Sequence, residues 1–469
     1  MKKLLIGFLA VGLIMSFAMT ASAQPNVKAS GQLYMLGAYS DNQQGVNDGP
    51  SRANIANRMR IQFEIQIQEG LKLTTRFDAM ERAWGEQQVA PSSVPGSSAW
   101  FGAQTATTER NISWERAYVT FNALYGVFDV GYQQSRVWGT CAFCDDYDSD
   151  AGIHYRYMMG PWTLGLEWEK RADTSWSGEG SGEGGSYLKA SDNDHDVYHI
   201  YGIYRWATGQ AGLRYELDRD ATGGKLGASG IATTTRVAPY GNPAVNNVEY
   251  VATFSELAPY VQWTMGPFSI EGELRYIWGK TDYNTGTDVD RKGWSLYLNP
   301  KYTMGAFYGG LELAYITGDD PNSSDKNESG VAGGQAWDPM LIYGNYWNTK
   351  YQGAMGAGSG IAGSPVLNGG GGNETNLKMA KPYVGWKVNP QLELVAQYAW
   401  LKADEKPTGF TSDDYGRELD IYATYKIYNN LSYTVGFGYF WTGDYFKGTN
   451  AAASIDDNFL VMNALNFAF

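Results

Sequence analysis

The sequence predicts an all-β protein, a single antiparallel β-barrel that crosses a membrane with about eighteen strands, with sixteen as the alternative. Three observations predict it. Apolar and polar residues alternate with a period of two in segment after segment, the mark of strands with one wet and one apolar face. The connections alternate between tight turns and long loops rich in Gly, Ser, Asn and Asp. Tyrosine (34) and tryptophan (16) are abundant in a chain of 469 residues and gather at strand ends, where a membrane interface would hold them.

The N-terminus comes first. Lys2 and Lys3 precede an apolar run over residues 4–19, followed by the small-residue pattern Ala21-Ser22-Ala23. This predicts a secretory signal peptide over residues 1–23, with residues 24–469 forming one barrel domain. No later stretch is long and apolar enough for a helical span.

The alternation is clearest from Met59 to Ile67. Met59, Ile61, Phe63, Ile65 and Ile67 point one way, and Arg60, Gln62, Glu64 and Gln66 the other. After the turn Gln68-Glu69-Gly70, Leu71, Leu73, Thr75, Phe77 and Ala79 face out, while Lys72, Thr74, Arg76 and Asp78 face in. The same pattern sets Leu213, Tyr215 and Leu217 against Arg214, Glu216 and Asp218. It sets Phe268, Ile270, Leu274 and Tyr276 against Glu271, Glu273 and Arg275, and Leu419 and Ile421 against Glu418 and Asp420. Strands are predicted to start near residues 27, 57, 71, 110, 126, 152, 162, 195, 210, 255, 268, 293, 306, 377, 391, 417, 431 and 457. The facing of the strand near 195 is ambiguous. Tight turns such as Met159-Gly160-Pro161 and Met265-Gly266-Pro267 belong on the periplasmic side, and long loops such as 318–375 on the outside. A soluble β-sandwich also alternates, but does not sort its loops into short and long sets.

Composition narrows the function. The formal charge is −13, from 36 Lys+Arg against 49 Asp+Glu, which speaks against nucleic acid as a partner. Two cysteines and three histidines leave little room for a metal centre or a bound cofactor, and neither is expected. Cys141-Ala142-Phe143-Cys144 lacks the following His of a haem attachment site and the βαβ setting of a redox motif. A short disulfide between Cys141 and Cys144 is the reading kept, with free thiols as the alternative. Asp192-Asn193-Asp194-His195-Asp196 begins like a calcium loop, but Val197 stands where the sharp turn needs Gly. His154, His195 and His199 form no recognisable catalytic triad with the scattered Ser and Asp residues.

The last residues, Asn463-Ala464-Leu465-Asn466-Phe467-Ala468-Phe469, resemble the C-terminal strand of outer-membrane proteins. The stretch Arg116 to Phe121, with the turn and Gly126 to Gln133, resembles the fourth and fifth strands of trimeric general porins. The resemblance implies a bacterial outer-membrane porin, assembled through Phe469 by the barrel assembly machinery. It implies a homotrimer set in lipid and lipopolysaccharide, passing small hydrophilic solutes and ions by passive diffusion without turnover. It also implies that the loop after the fifth strand, about 134–152, folds into the lumen and constricts it. A carbohydrate-specific channel is the main alternative, for which inward Tyr201, Tyr297, Tyr308 and Tyr422 are candidates. An outer-membrane barrel enzyme is a more distant one.

The predicted lumen has two charged sides. Arg58, Arg60, Lys72, Arg76, Arg82 and Arg116 make a basic ladder on three adjacent strands, and Asp145, Asp146, Asp148 and Asp150 lie in the infolding loop opposite. Opposed charges across a narrow aqueous gap would orient polar solutes and reject apolar ones.

Overall fold

A computed structural model describes residues 25–41, 51–84, 112–134, 138–140, 143, 149–173, 194–222, 250–283, 286–330, 337, 339–343 and 375–469. The strands in chain order are β1 (Asn26–Asp41), β2 (Arg52–Gln68), β3 (Leu71–Ala83), β4 (Ile112–Ala123), β5 (Gly126–Gln134), β6 (Ser149–Met159), β7 (Trp162–Asp173), β8 (Asp194–Trp206) and β9 (Gly209–Asp220). They continue with β10 (Tyr250–Met265), β11 (Phe268–Tyr283), β12 (Val289–Met304), β13 (Phe307–Ile316), β14 (Lys326–Asn327), β15 (Leu377–Lys387), β16 (Leu392–Lys402), β17 (Asp414–Tyr428), β18 (Leu431–Thr442) and β19 (Asn458–Ala468). Each barrel strand pairs antiparallel with the next, and β1 pairs with both β2 and β19, so the sheet closes. The two-residue β14 lies in the loop after β13 and runs parallel to β12. The other eighteen strands make the barrel.

Closure leaves no strand edge, the condition for a sheet to sit in lipid. At the seam, Gly31 and Phe469 exchange backbone hydrogen bonds of 2.9 and 3.0 Å, so the last residue of the chain completes the ladder. A Cβ at Gly31 would fall 2.6 Å from the Phe469 ring, so the seam needs glycine there.

The period-two segments become the strands because each has one face for lipid and one for water. Val119, Leu164, Leu166, Trp168, Ile200, Leu213, Leu274, Leu296, Ile421, Val435, Phe437 and Val461 stand exposed on the outer wall. That belt is far more apolar surface than a protein in water leaves uncovered, and it suits a lipid-facing wall. The short turns obey local chemistry. Gly160, Gly266 and Gly305 have φ of 56°, 59° and 60°, and each opens a two-residue connection. Followed by Pro161 and Pro267, the first two fit the type II′ turn that matches strand twist. Aromatic pairs flank this end, Trp162 with Tyr204 at 4.8 Å and Phe307 stacked on Trp386 at 5.6 Å.

The ambiguity of the strand near 195 is resolved. In β8, Val197, His199, Tyr201 and Ile203 are buried and inward, while Tyr198, Ile200 and Tyr204 are exposed.

Candidate functional site: the barrel lumen

The inner wall of β2 to β4 carries the basic ladder together with its own counter-ions. Arg60 donates Nε and Nη2 hydrogen bonds of 2.6 Å each to the two carboxylate oxygens of Asp78. Arg58 lies 3.9 Å from the same carboxylate. Glu115 sits 3.6 Å from Arg76 and 4.0 Å from Arg60, and Glu64 3.4 Å from Lys72. Glu115 is recruited by a bulge where Arg76 pairs with Arg116 but Phe77 pairs with Trp114, so β4 has one extra residue at that point.

Across the barrel, a piece of the loop after β5 lies against the inner wall of β8 to β12. Trp138 is buried, packed on Tyr201 of β8 and Tyr260 of β10, and its indole N–H donates to the Ala258 carbonyl at 3.0 Å. The Arg214 guanidinium lies over the ring, 5.7 Å from its centroid. Thr140 donates its backbone N–H (2.7 Å) and hydroxyl (3.0 Å) to Glu273 Oε2 on β11. Between them Gly139 has φ 81°, and a Cβ there would meet the Glu273 carboxylate at 2.1 Å. Phe143 is fully buried against Tyr297 of β12.

A second segment enters from the loop between β13 and β15. The indole N–H of Trp337 donates to Glu312 Oε1 at 3.1 Å. Lys381 Nζ donates to the Pro339 carbonyl at 2.8 Å. The backbone N–H groups of Leu341, Ile342 and Tyr343 donate to Asp420 Oδ2 (3.0 Å), Glu418 Oε1 (2.7 Å) and Glu418 Oε2 (2.8 Å). Inward glycine makes room on this wall, since a Cβ at Gly438 would lie 3.2 Å from Leu341. The two segments touch, Phe143 meeting Trp337 edge-on at 5.3 Å. A chain of aromatic and apolar contacts thus runs through the lumen and leaves the basic wall of β2 to β4 on the other side.

Between these regions, one rung of the sheet carries ionisable groups on successive strands. The register pairs Asp129 with His154, His154 with Glu167, Glu167 with His199, His199 with Glu216, and Glu216 with Glu256. His199 Nε2 lies 2.9 Å from Glu216 Oε2, and Arg214 lies 2.8 Å from Glu256 Oε1. Arg275 lies 3.1 Å from the same Glu256 oxygen. The third histidine, His195, sits 2.8 Å from Asp218.

Comparison with known proteins decides the family. Residues 10–406 match the Gram-negative porin family. The chain belongs to that family. It forms a channel in the bacterial outer membrane for passive diffusion of solutes. Solved structures to which this porin is similar include a BenF-like porin from Pseudomonas fluorescens, at 11% identity and TM-score 0.49, covering 95% of this chain and 99% of that one. An anion-selective porin from Comamonas acidovorans matches at 10% identity and TM-score 0.43, with 95% and 100% covered. OccK9 (OpdG) of Pseudomonas aeruginosa matches at 13% identity and TM-score 0.49, with 95% and 99% covered. No curated protein matches the chain.

In the porin, the sequence-predicted residues fall as follows. Arg58, Arg60, Lys72, Arg76 and Arg116 share one wall. Arg82 pairs in register with Asn57 beyond a bulge, out of phase with Arg58, and its side chain lies outside the described residues. Asp150 is the second residue of β6 and lies 3.9 Å from Arg171. Asp145, Asp146, Asp148, Cys141 and Cys144 lie outside the described residues. The ladder has counter-ions on its own wall. Asp78, Glu115 and Glu64 on the same wall already lie within ion-pair distance. Of the four inward tyrosines, Tyr201 and Tyr297 are covered by Trp138 and by Phe143, so they hold the infolded segment rather than forming an open stacking track. Sequence reasoning missed the histidine–glutamate rung and the 337–343 segment. The first was legible in principle, because His154, Glu167, His199 and Glu216 are all on inward phases.

Proposed function

We propose that solutes pass this porin along the basic wall of β2 to β4, beside a constriction built from the infolded part of loop 134–152 and from segment 337–343. The observation that carries the proposal is the double anchoring of the first segment, Trp138 to Ala258 and Thr140 to Glu273, on the wall opposite the ladder. A loop held there takes cross-section from the lumen, and the acidic side of the constriction is assigned to the Asp145, Asp146 and Asp148 that it carries. Small polar solutes then meet charges of both signs and are oriented, while apolar ones are disfavoured. Because both signs are present selectivity is mild, and the acidic balance of the whole chain tilts it toward cations by enriching them at the mouth. A Cys141–Cys144 disulfide would tie the tip of the loop. On the family resemblance, the signal peptide over residues 1–23 is removed, Phe469 is read during assembly, and three chains associate in lipid and lipopolysaccharide.

The test is the reversal potential in a salt gradient across planar bilayers. Replacing Arg58, Arg60 and Arg76 together by neutral residues should move it toward cation selectivity. Replacing Asp145, Asp146 and Asp148 by Asn should move it toward anions. If neither variant moves it, the filter lies elsewhere.

A further inference from the structure

Among the described inward side chains that neither the basic wall nor the infolded segments use, one group has the donor set of an ion site. His154 of β6 faces Glu167 and Glu169 of β7, and one ligand atom from each of the three lies within 4.8 Å of the others. All three residues are buried, His154 being 3% exposed. Its Nε2 lies 3.2 Å from Glu169 Oε1, yet makes no hydrogen bond. That separation is close to the ~3.3 Å between neighbouring donors that bonds of about 2.0–2.1 Å to one tetrahedral ion impose.

The surroundings favour an ion over a packed ion pair. Gly152 is directly opposite Glu169, and a Cβ there would stand 3.2 Å from His154 Nε2, so glycine keeps open the space where the donors meet. The second oxygen of each carboxylate is held from behind. Glu167 Oε2 lies 3.4 Å from His199 Nδ1, and Glu169 Oε2 lies 4.0 Å from Arg171. Glu167 Oε1 and Glu169 Oε1 are the oxygens nearest His154, the former 4.0 Å from Nδ1 and the latter 3.2 Å from Nε2. Outer partners that orient first ligands in this way are characteristic of metal sites.

We infer that His154, Glu167 and Glu169 form a binding site for a divalent transition-metal ion on the lumen wall. One imidazole and two carboxylates are borderline-to-hard donors, which suits Zn²⁺ or Co²⁺ better than a soft monovalent ion. Three protein donors leave a coordination position for water. The site rests on no part of the channel proposal, since an ion binds there whether or not the loop constricts the pore.

The experiment uses the full barrel folded in detergent, titrated with CoCl₂ and then with ZnCl₂ in competition, with the visible d–d spectrum as readout. The wild type should bind one Co²⁺ per chain, with a histidine-ligated tetrahedral or five-coordinate spectrum that Zn²⁺ abolishes. His154→Ala and Glu169→Gln should lose that spectrum. Gly152→Val keeps every donor but fills the space, and should lose it too. His199→Ala, which removes an outer partner, should weaken binding at least about tenfold. His195→Ala, paired with Asp218, should bind as the wild type does. Heat-modifiable electrophoretic mobility shows which variants are folded, and the inference is decided on those. A wild type without the spectrum, or a folded Gly152→Val and Glu169→Gln pair binding like wild type, would overturn it.

Discussion

Trp138→Ala is the sharpest perturbation of the constriction. The indole is 3% exposed, packs on two tyrosines and donates one hydrogen bond to the barrel wall. Truncating a buried Trp costs about 3–5 kcal/mol, transfer and cavity terms included. The strand ladder contributes nothing to that figure, because Trp138 belongs to no strand, so the loss falls on docking of the segment rather than on the barrel. At about 1.4 kcal/mol per tenfold, docking weakens roughly 10²–10⁴-fold. The remaining anchors are the two Thr140 bonds to Glu273 and the Phe143 contact. Bonds to a charged acceptor hold about 1.5–3 kcal/mol each, so the segment should dissociate often instead of staying away. Single-channel recording should show higher mean conductance with strong open-channel noise. Trp138→Phe keeps most of the ring contact and loses the N–H, worth about 0.5–1.5 kcal/mol, and should fall between the two. If the Ala variant has wild-type conductance and wild-type noise, the segment does not narrow the path and the reasoning fails.

Other consequences follow from the same contacts. Gly139→Val places a side chain on a left-handed backbone and into the Glu273 carboxylate, so it should raise conductance at least as much as Trp138→Ala; equal conductance to wild type counts against the docked geometry. Glu418→Ala removes the acceptor of two backbone N–H groups and should make segment 337–343 newly cleavable by externally added protease, with the barrel intact on gels. Deleting Phe469 removes two seam hydrogen bonds and should lower the yield of heat-modifiable barrel on refolding. Burial would raise the carboxyl of Asp404, in the loop after β16, but hydrogen bonds from Tyr315 Oη, Gly318 N and Lys378 Nζ outweigh it and hold the group below its ordinary range. A lowered folded-state value means that this stabilisation is full above about pH 4 and is lost as pH falls through the lowered value. Hydrogen exchange at the Gly318 amide should therefore be slow at pH 5 and faster in Asp404→Asn at the same pH, and identical rates would refute it.

The strand phases were legible because lipid and water impose opposite demands on alternate residues. Glu273, Arg275, Glu418 and Asp420 all face inward as their period predicts. What alternation misses is where it slips. The bulge that brings in Glu115 adds a residue to β4, and a single added residue inverts the facing beyond it. One counter-ion of the ladder, Glu115, was hidden for the same reason, since it reads as outward in an unbroken period, whereas Asp78 and Glu64 already stand on the inward phase. The infolding of the first loop was expected from family likeness and from the four acids it carries within six residues. Its sockets required knowing that β8 to β12 lie across the lumen from β5. The run Met340-Leu341-Ile342-Tyr343 stands out as apolar within a long polar loop, and that local contrast was the available sign of a segment that leaves the water outside. The histidine–glutamate rung needed registers between strands up to 62 residues apart in sequence, from His154 to Glu216, which no single-strand pattern contains.

The central claim is that this chain is a water-filled pore narrowed from within. Single-channel recording of the purified wild-type protein in planar bilayers, alongside a variant lacking residues 135–148, tests it most directly. The account predicts stepwise, ohmic conductance from the wild type and clearly larger steps from the deletion. An absence of steps from folded wild-type protein would contradict the channel, and equal steps from both proteins would contradict the constriction.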